Sequence, residues 1–110
     1  MEKILIVDDN PAILDALSLL LEIHDYKVVT ANSPFEAIQI VQYQRIALVL
    51  QDMNFSNDTT SGEEGKLLFY QLRELNPYLP IILITAWTEL ETAVELVKAG
   101  AADYLPKPWD

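Results

Sequence analysis

The sequence has no cysteine, few glycines and few basic residues. Without cysteine, the chain cannot form disulfides, thiolate metal sites or a thiol nucleophile. Three glycines among 110 residues, with 51% hydrophobic residues, are typical of one globular domain rather than of a disordered chain. The 17 acidic and 7 basic side chains give a net charge of −10, which disfavours binding to nucleic acid or to an anionic membrane.

Long hydrophobic runs and targeting signals are also missing. The longest apolar stretch, residues 79–87, contains a proline and a threonine and is far shorter than a membrane span. Residues 1–3 lead directly into an apolar run without a cleavable signal. We therefore expect a cytoplasmic protein with no membrane contact.

Short apolar runs alternate regularly with stretches of helical period. Strands are predicted at residues 4–7, 27–31, 46–51, 80–84 and 103–105. The predicted buried helix faces are Ile13, Leu14, Leu17, Leu20 and Leu21; Ala37, Ile38 and Val41; Leu67, Leu68, Leu72 and Leu75; and Leu90, Ala93, Val94 and Val97. This alternation predicts an α/β fold with a five-stranded parallel sheet and right-handed crossovers.

Capping residues mark the predicted helix ends. The start signals are Asn10-Pro11 and the capping boxes Ser33 to Glu36 and Thr88 to Glu91, and the stop signals are Asn76-Pro77 and Gly100. No helix is predicted after the fifth strand, although a doubly wound sheet needs helices on both faces. We expect residues 1–110 to form one domain truncated after that strand, with exposed apolar surface that promotes self-association as a homodimer.

The middle strand ends at a carboxylate. Five consecutive apolar residues, 46–50, predict a strand buried on both faces of the sheet. Asp52 would then lie at the carboxyl end of a central strand, which is where open α/β sheets bind ligands. The polar residues 53–64 follow, a longer connection than the roughly 2 to 6 residues that are usual.

Five side chains with reactive or charged groups follow the predicted strands: Asp8, Asp9, Asp52, Thr85 and Lys107. Three converging carboxylates would repel one another unless a hard divalent cation such as Mg²⁺ neutralised them. Thr85 and Lys107 would bind an anionic oxygen that arrives on a carboxylate. Asp52 alone could equally start a turn, and each of the other residues alone is more often a cap, an ordinary strand end or a surface charge. Their coincidence at one edge favours phosphoryl transfer to an aspartate.

On these residues the whole chain resembles a receiver domain of a two-component response regulator. The matching motifs are Ile4-Leu5-Ile6-Val7-Asp8-Asp9-Asn10, Gln51-Asp52-Met53-Asn54, Ile84-Thr85-Ala86 and Lys107-Pro108. The resemblance implies a flavodoxin-like (CheY-like) strand order, 2-1-3-4-5. It also implies a phosphorylation-dependent signalling switch, without turnover of a small molecule, that receives its phosphoryl group from a sensor histidine kinase.

The resemblance further implies the metal and acceptor groups. Asp52 would be the phosphoacceptor. Mg²⁺ would be bound by Asp9 and Asp52 directly, by Asp8 mainly through water, and by the backbone carbonyl of Asn54.

The remaining matching residues would act on the phosphoryl group or respond to it. Thr85 and Lys107 would bind phosphoryl oxygens, and Tyr104 would turn inward as Thr85 moves. A half-buried strand tyrosine is the alternative explanation of Tyr104. Asn54 and Trp87 match positions that tune phosphoryl lifetime. The output would be a changed surface on the fourth helix and fifth strand.

Two features bear on the subfamily. Phe55-Ser56 stands where the family commonly has a proline, and the loop to Gly65 is several residues longer than usual. The run from Asp52 to Phe55, with residues 58–62, is similar to receivers that precede an AAA+ ATPase and a DNA-binding domain in transcription activators.

Other functions fit the sequence less well. Magnesium-dependent aspartyl-phosphate phosphatases of the dehalogenase-like kind carry Asp-x-Asp at the first strand, whereas Asp8 and Asp9 are adjacent. No Gly/Ser/Thr-rich phosphate loop follows the first strand, as a flavin-binding module would require. A degenerate receiver that only binds partners is disfavoured because all five key positions are filled. His24 is expected at a helix end, away from the acids.

Overall fold

Five parallel strands and four helices alternate along the described part of the chain. The computed structural model describes residues 2–53, 63–85 and 90–106. The strands are β1 (Lys3–Val7), β2 (Val28–Ala31), β3 (Ile46–Asp52), β4 (Ile81–Thr85) and β5 (Asp103–Pro106). The helices are α1 (Pro11–Ile23), α2 (Pro34–Tyr43), α3 (Glu63–Leu75) and α4 (Leu90–Lys98). The predicted strands are all present, and their ends differ from the prediction by at most one residue.

The strands form one sheet in the order β2-β1-β3-β4-β5, and every neighbouring pair is parallel. This confirms the predicted fold class and order. The chain reverses its direction of progress across the sheet between β1 and β3, and ligands of such folds bind at the carboxyl ends of the strands at this point. The two strands that carry the predicted acids are therefore the two at the switch point.

The main core lies between one face of the sheet and the helices α2, α3 and α4. It contains Leu5, Val7, Val49, Ile81 and Leu83 from the strands, and Ala37, Leu68, Phe69, Leu72, Ala93 and Leu96 from the helices. These strand residues are two positions apart along each strand, as expected for side chains that share a face. Packing in this core holds the strands in register, and with them the edge of the sheet on which the acids lie.

The capping predictions agree with the described helix ends. The Asn10 side chain accepts a hydrogen bond from the Ala12 N–H at 3.0 Å and caps α1. Ser33 accepts one from the Glu36 N–H, and the Glu36 carboxylate accepts one from the Asn32 N–H, which is close to the predicted capping box. Residues 88 and 89 of the other predicted capping box lie outside the described residues.

Several helix positions that the sequence predicts to be buried are exposed. They are Leu20 at 51%, Leu67 at 60%, Leu75 at 43% and Val94 at 37% exposed. The buried stripes of α3 and α4 instead include Phe69 and Leu96, which are fully buried. A helix that lies on a sheet buries only one stripe, so apolar residues at the margins of that stripe remain in contact with solvent.

The prediction that β3 is buried on both faces is wrong for the described part of the chain. Val49 is fully buried, whereas Leu48 and Leu50 on the other face are only partly buried and Ala47 is exposed. On that face α1 borders an apolar groove of about 500 Å³, lined by Leu17, Leu20, Leu21, Leu50, Ile84, Leu105 and Pro106. Leu105 of β5 is 49% exposed, which confirms the predicted apolar surface near the fifth strand.

The Arg73 guanidinium joins the elements at the amino-terminal edge of the sheet. Its Nη1 donates to the carbonyls of Asn76 and Pro77 at 3.3 and 3.2 Å, and to that of Leu79 at 2.6 Å. Its Nη2 donates to the carbonyl of Gly100 at 2.9 Å. Gly100 has φ of +119°, a conformation that favours glycine, and it follows the end of α4 as predicted. One side chain therefore holds the end of α3 to the turns before β4 and β5.

Candidate metal centre at the carboxyl edge of the sheet

Three acidic residues converge at the ends of the two central strands. Val7 of β1 pairs with Gln51 of β3, so the residues that follow each of them are neighbours at the sheet edge. One carboxylate oxygen from each of Asp8, Asp9 and Asp52 lies within 4.8 Å of the others. The structure thus brings together the three acids that the sequence places at strand ends.

Two of these carboxylates are removed from solvent. Asp52 is fully buried and Asp8 is 1% exposed, while Asp9 is partly buried. A buried carboxylate is costly unless it is hydrogen-bonded, paired with a charge or bound to a metal. The Asp8 Oδ1 accepts a hydrogen bond from the Asn10 N–H at 2.9 Å, next to the start of α1, where the helix dipole favours negative charge. Three carboxylates this close together also repel one another, and a cation bound between them would lower that cost.

The donor set fits a hard divalent cation. Mg²⁺ binds oxygen ligands at about 2.0–2.1 Å, so opposite ligands of its octahedron are about 4.2 Å apart. One oxygen from each acid lies within 4.8 Å of the others, close to this largest ligand separation, so the three carboxylates can share one ion when one of them binds through water. Carboxylate oxygens with retained waters are the ligands that Mg²⁺ prefers.

Thr85 lies at the same edge, on the neighbouring strand. Ile84 of β4 pairs with Asp52, and the Met53 N–H donates to the Ile84 carbonyl at 2.9 Å. Thr85 is the next residue and is fully buried. Its position one residue beyond the Asp52 pair agrees with the predicted placement of a hydroxyl near the acid.

Three of the predicted site residues cannot be placed. Asn54, Trp87 and Lys107 lie outside the described residues, so their roles remain predictions. β5 can be described up to Pro106, which pairs with Thr85. Lys107 is therefore the next residue in sequence after Pro106, which pairs with Thr85.

Tyr104 and His24 occupy the positions expected from the sequence. Tyr104 is partly buried on β5, pairs with Leu83 and packs against the main core. His24 is the C-cap of α1. The 13 residues of α1 correspond to about 20 Å of helix, and the acids lie near the other end of that helix.

The sequence interpretation missed one buried polar residue beside the site. Gln51 is fully buried, and its Nε2 donates to the Gly65 carbonyl at 2.7 Å. The available signal was an amide directly before Asp52 in an otherwise apolar strand. Its partner was not identifiable because a long polar connection separates the two residues in sequence.

The fold and the acidic cluster define a class: a doubly wound α/β domain with three clustered acids at the carboxyl edge of its sheet. Family comparison makes this specific. The chain belongs to the response regulator receiver domain family, whose sequence model matches residues 4–110.

Known relatives and solved structures agree with this membership. The chain is 38% identical over 106 residues to the alginate biosynthesis transcriptional regulatory protein AlgB of Pseudomonas putida, covering 96% of this chain and 22% of AlgB. It is 38% identical over 107 residues to the transcriptional regulatory protein ZraR of Escherichia coli, covering 97% of this chain and 23% of ZraR. The chain therefore spans about a fifth of the length of these relatives.

Among solved structures, a response regulator receiver domain protein from Clostridium thermocellum matches with a TM-score of 0.88 and 30% identity, over 100% of this chain and 85% of that one. A response regulator from Burkholderia pseudomallei, solved with a phosphorylated aspartic acid, calcium ion and citrate, matches with a TM-score of 0.84 and 30% identity, over 100% of this chain and 62% of that one.

The predicted receiver family and its class of function, a switch of response regulators related to transcriptional regulators, are confirmed. The phosphatase alternative finds no support in these relatives. None of the described helices has the length and apolar character needed to cross a membrane.

Proposed function

We propose that Asp52 is the phosphoacceptor of this receiver domain and that Mg²⁺ binds between Asp8, Asp9 and Asp52. The observation that carries the proposal is the convergence of the three carboxylates within 4.8 Å, with Asp52 fully buried at the end of β3. The related Burkholderia protein with a phosphorylated aspartic acid and a calcium ion supports it.

In the proposed reaction a carboxylate oxygen of Asp52 attacks the phosphorus of a phosphohistidine on a sensor histidine kinase. The O–P bond forms as the donor's P–N bond breaks, and the departing imidazole keeps the electron pair of that bond. When bound, Mg²⁺ neutralises charge on the phosphoryl oxygens. Asp8, Asp9 and the Asn54 backbone carbonyl would hold the ion, with Asp8 acting mainly through water.

The proposed switch follows from the added charge. A phosphoryl group brings a charge of about −1.5 to −2 at neutral pH. Thr85 and Lys107 would bind its oxygens, Tyr104 would turn inward as Thr85 moves, and α4 and β5 would present a changed surface. Asn54 and Trp87 would set the phosphoryl lifetime through access of water to the phosphoryl group.

The wider context is part of the same proposal. Residues 1–110 would be the receiver unit of a cytoplasmic transcription regulator in which a C-terminal AAA+ ATPase and a DNA-binding domain give the output. The names of AlgB and ZraR as transcriptional regulatory proteins support this assignment. The domain would bind no nucleic acid itself, would assist its own phosphorylation and dephosphorylation, and would turn over no small molecule.

Incubation with acetyl phosphate and Mg²⁺ tests the proposal. Intact-mass measurement should show one added phosphoryl group on the wild-type chain and none on Asp52→Asn. The adduct should be lost in acid or alkali, because an acyl phosphate hydrolyses readily there. An acid-stable adduct, or the same adduct on Asp52→Asn, contradicts the proposal. Continuous release of phosphate over many turnovers would favour the phosphatase alternative.

A further inference from the structure

The buried amide of Gln51 ties the end of β3 to the first turn of α3. Its Nε2 donates to the Gly65 carbonyl at 2.7 Å and lies 3.5 Å from the Met53 Sδ. Gln51 is fully buried, so the hydrogen bond is shielded from water. The two residues it contacts stand on either side of the polar stretch that the sequence places between β3 and α3.

Gly65 also contributes to the contact between the end of β3 and the first turn of α3. A Cβ at this position would lie 3.0 Å from both the Cα and the Sδ of Met53, which is too close for a side chain without movement of the backbone. The absence of a Cβ therefore lets the first turn of α3 approach the residue that follows Asp52. The Gln51 amide and the absence of a side chain at Gly65 therefore both allow the end of β3 to pack closely on the first turn of α3. We call this contact between Gln51, Met53 and Gly65 the junction.

This junction lies on the face of the sheet opposite to the Asp52 carboxylate. Successive strand side chains point to opposite faces, so Gln51 points toward α3 and Asp52 points away from it. The Gln51 backbone is paired with Val7 on one side and Leu83 on the other. Its peptide group is thus held between the strands that precede Asp8 and Thr85, and it carries Asp52 directly.

An apolar side chain would fill this position in the core without the cost of burying an amide. Met53, on the same face two residues later, is an apolar side chain of similar length and is also fully buried. What the glutamine adds is the hydrogen bond to Gly65. The bond fixes Met53 and the start of α3 against the end of β3, and hence the backbone on both sides of Asp52.

We propose that Gln51 is a positioning residue for phosphoryl transfer to Asp52: by anchoring the first turn of α3 to β3 it holds the acceptor carboxylate in its reactive geometry. This inference rests on the proposed function. It assigns to the Gln51–Gly65 contact a role in the reaction that is separate from its contribution to stability.

The test uses two variants that break the contact and one that does not. Gln51→Met keeps the side-chain volume and removes the donor, and Gly65→Ala leaves Gln51 intact and displaces its acceptor. Val49→Ala is the matched control, since Val49 is on the same strand and face, is fully buried, and lies two residues before the junction. Initial rates of phosphorylation are measured by intact mass over a range of acetyl phosphate at saturating Mg²⁺, together with the urea midpoint of each variant.

Both junction variants should be phosphorylated about tenfold more slowly at saturating acetyl phosphate, as expected when a residue that orients a reacting group is lost. The half-saturating concentration should stay within about twofold, because the contact does not bind the phosphodonor. Val49→Ala should react at the wild-type rate even if it loses more stability. If Gln51→Met does not fold, Gly65→Ala tests the same contact.

A wild-type rate in the junction variants overturns the positioning role. A rate that falls in Val49→Ala in proportion to lost stability overturns it as well, because the effect would then be structural. In both cases the wild-type chain is still phosphorylated and the proposed function stands. A wild-type chain that takes up no phosphoryl group rejects the proposed function, and the role of Gln51 with it.

Discussion

Asp8 and Asp52 directly follow the paired residues Val7 and Gln51 of two adjacent parallel strands. Their approach is therefore set by the register of the sheet rather than by a flexible loop. Both are almost completely buried, and a buried carboxylate must be stabilised by hydrogen bonds, by an opposite charge or by a metal ion. The metal and phosphoryl chemistry proposed here depends on this relationship.

Removal of one acidic charge should weaken Mg²⁺ binding. We expect Asp9→Asn to lower the Mg²⁺ affinity of the unphosphorylated chain by at least about tenfold, because the ion loses a charged oxygen ligand. Isothermal titration with Mg²⁺ measures this. Asp15→Asn is the control. Asp15 is exposed on α1, and its substitution removes the same charge at a position away from the cluster. Equal effects of the two substitutions would contradict a site at Asp9.

Thr85 should couple phosphorylation to α4. We expect Thr85→Val, which keeps the side-chain shape and removes the hydroxyl, to be phosphorylated on Asp52 without the change in α4 that we predict for the wild type. Hydrogen exchange of the amides in residues 90–98, with and without beryllofluoride and Mg²⁺, measures the response. If amide exchange in the valine variant changes as much as in the wild type, the Thr85 hydroxyl does not couple phosphorylation to α4.

Arg73 should contribute to stability and not to phosphorylation. Arg73→Met leaves four carbonyls, those of residues 76, 77, 79 and 100, without their charged donor, and we expect a loss of about 1–3 kcal/mol in the free energy of unfolding. Urea unfolding measures it, with Lys98→Met on the exposed end of α4 as the control for lost positive charge. The phosphorylation rate should be unchanged, since these contacts lie at the amino-terminal edge of the sheet. A stability equal to that of the control would contradict the role given to the guanidinium.

The apolar groove beside α1 should make the 110-residue chain self-associate. With a net charge of −10, like charges repel copies of the chain, so association must come from apolar surface. Sedimentation equilibrium should show a dimer that Leu20→Glu removes, while Leu67→Glu, at an exposed residue of α3 outside the groove, leaves it intact. A strictly monomeric wild type at high concentration would reject this prediction.

Much of the fold could be predicted because local signals agree with it. Short β-branched runs such as residues 4–7 alternate with helices that begin at Asn10-Pro11 and Ser33-Pro34, and this alternation restricts the sheet to parallel pairing. The strand ends predicted in this way place Asp8, Asp9 and Asp52 at one edge of the sheet, where the structure has them.

Two features could not be predicted from these signals. Periodicity identifies the apolar face of a helix but not which margin of that face contacts the sheet. It therefore predicts that Leu67 is buried, whereas Leu67 is exposed and Phe69 is buried. The Gln51–Gly65 contact joins residues 14 positions apart through an amide and a backbone carbonyl. No hydrophobic period reports such a contact, because any residue can supply the carbonyl.

The most direct test of the central claim is the location of the phosphoryl group. After reaction with acetyl phosphate and Mg²⁺, borohydride reduction converts an aspartyl phosphate to homoserine, which peptide mass spectrometry assigns to one residue. We predict homoserine at position 52, dependent on Mg²⁺, in the wild-type chain. Homoserine at position 8 or 9, or a phosphoryl group on a hydroxyl that resists reduction, would contradict the assignment of Asp52 as the acceptor.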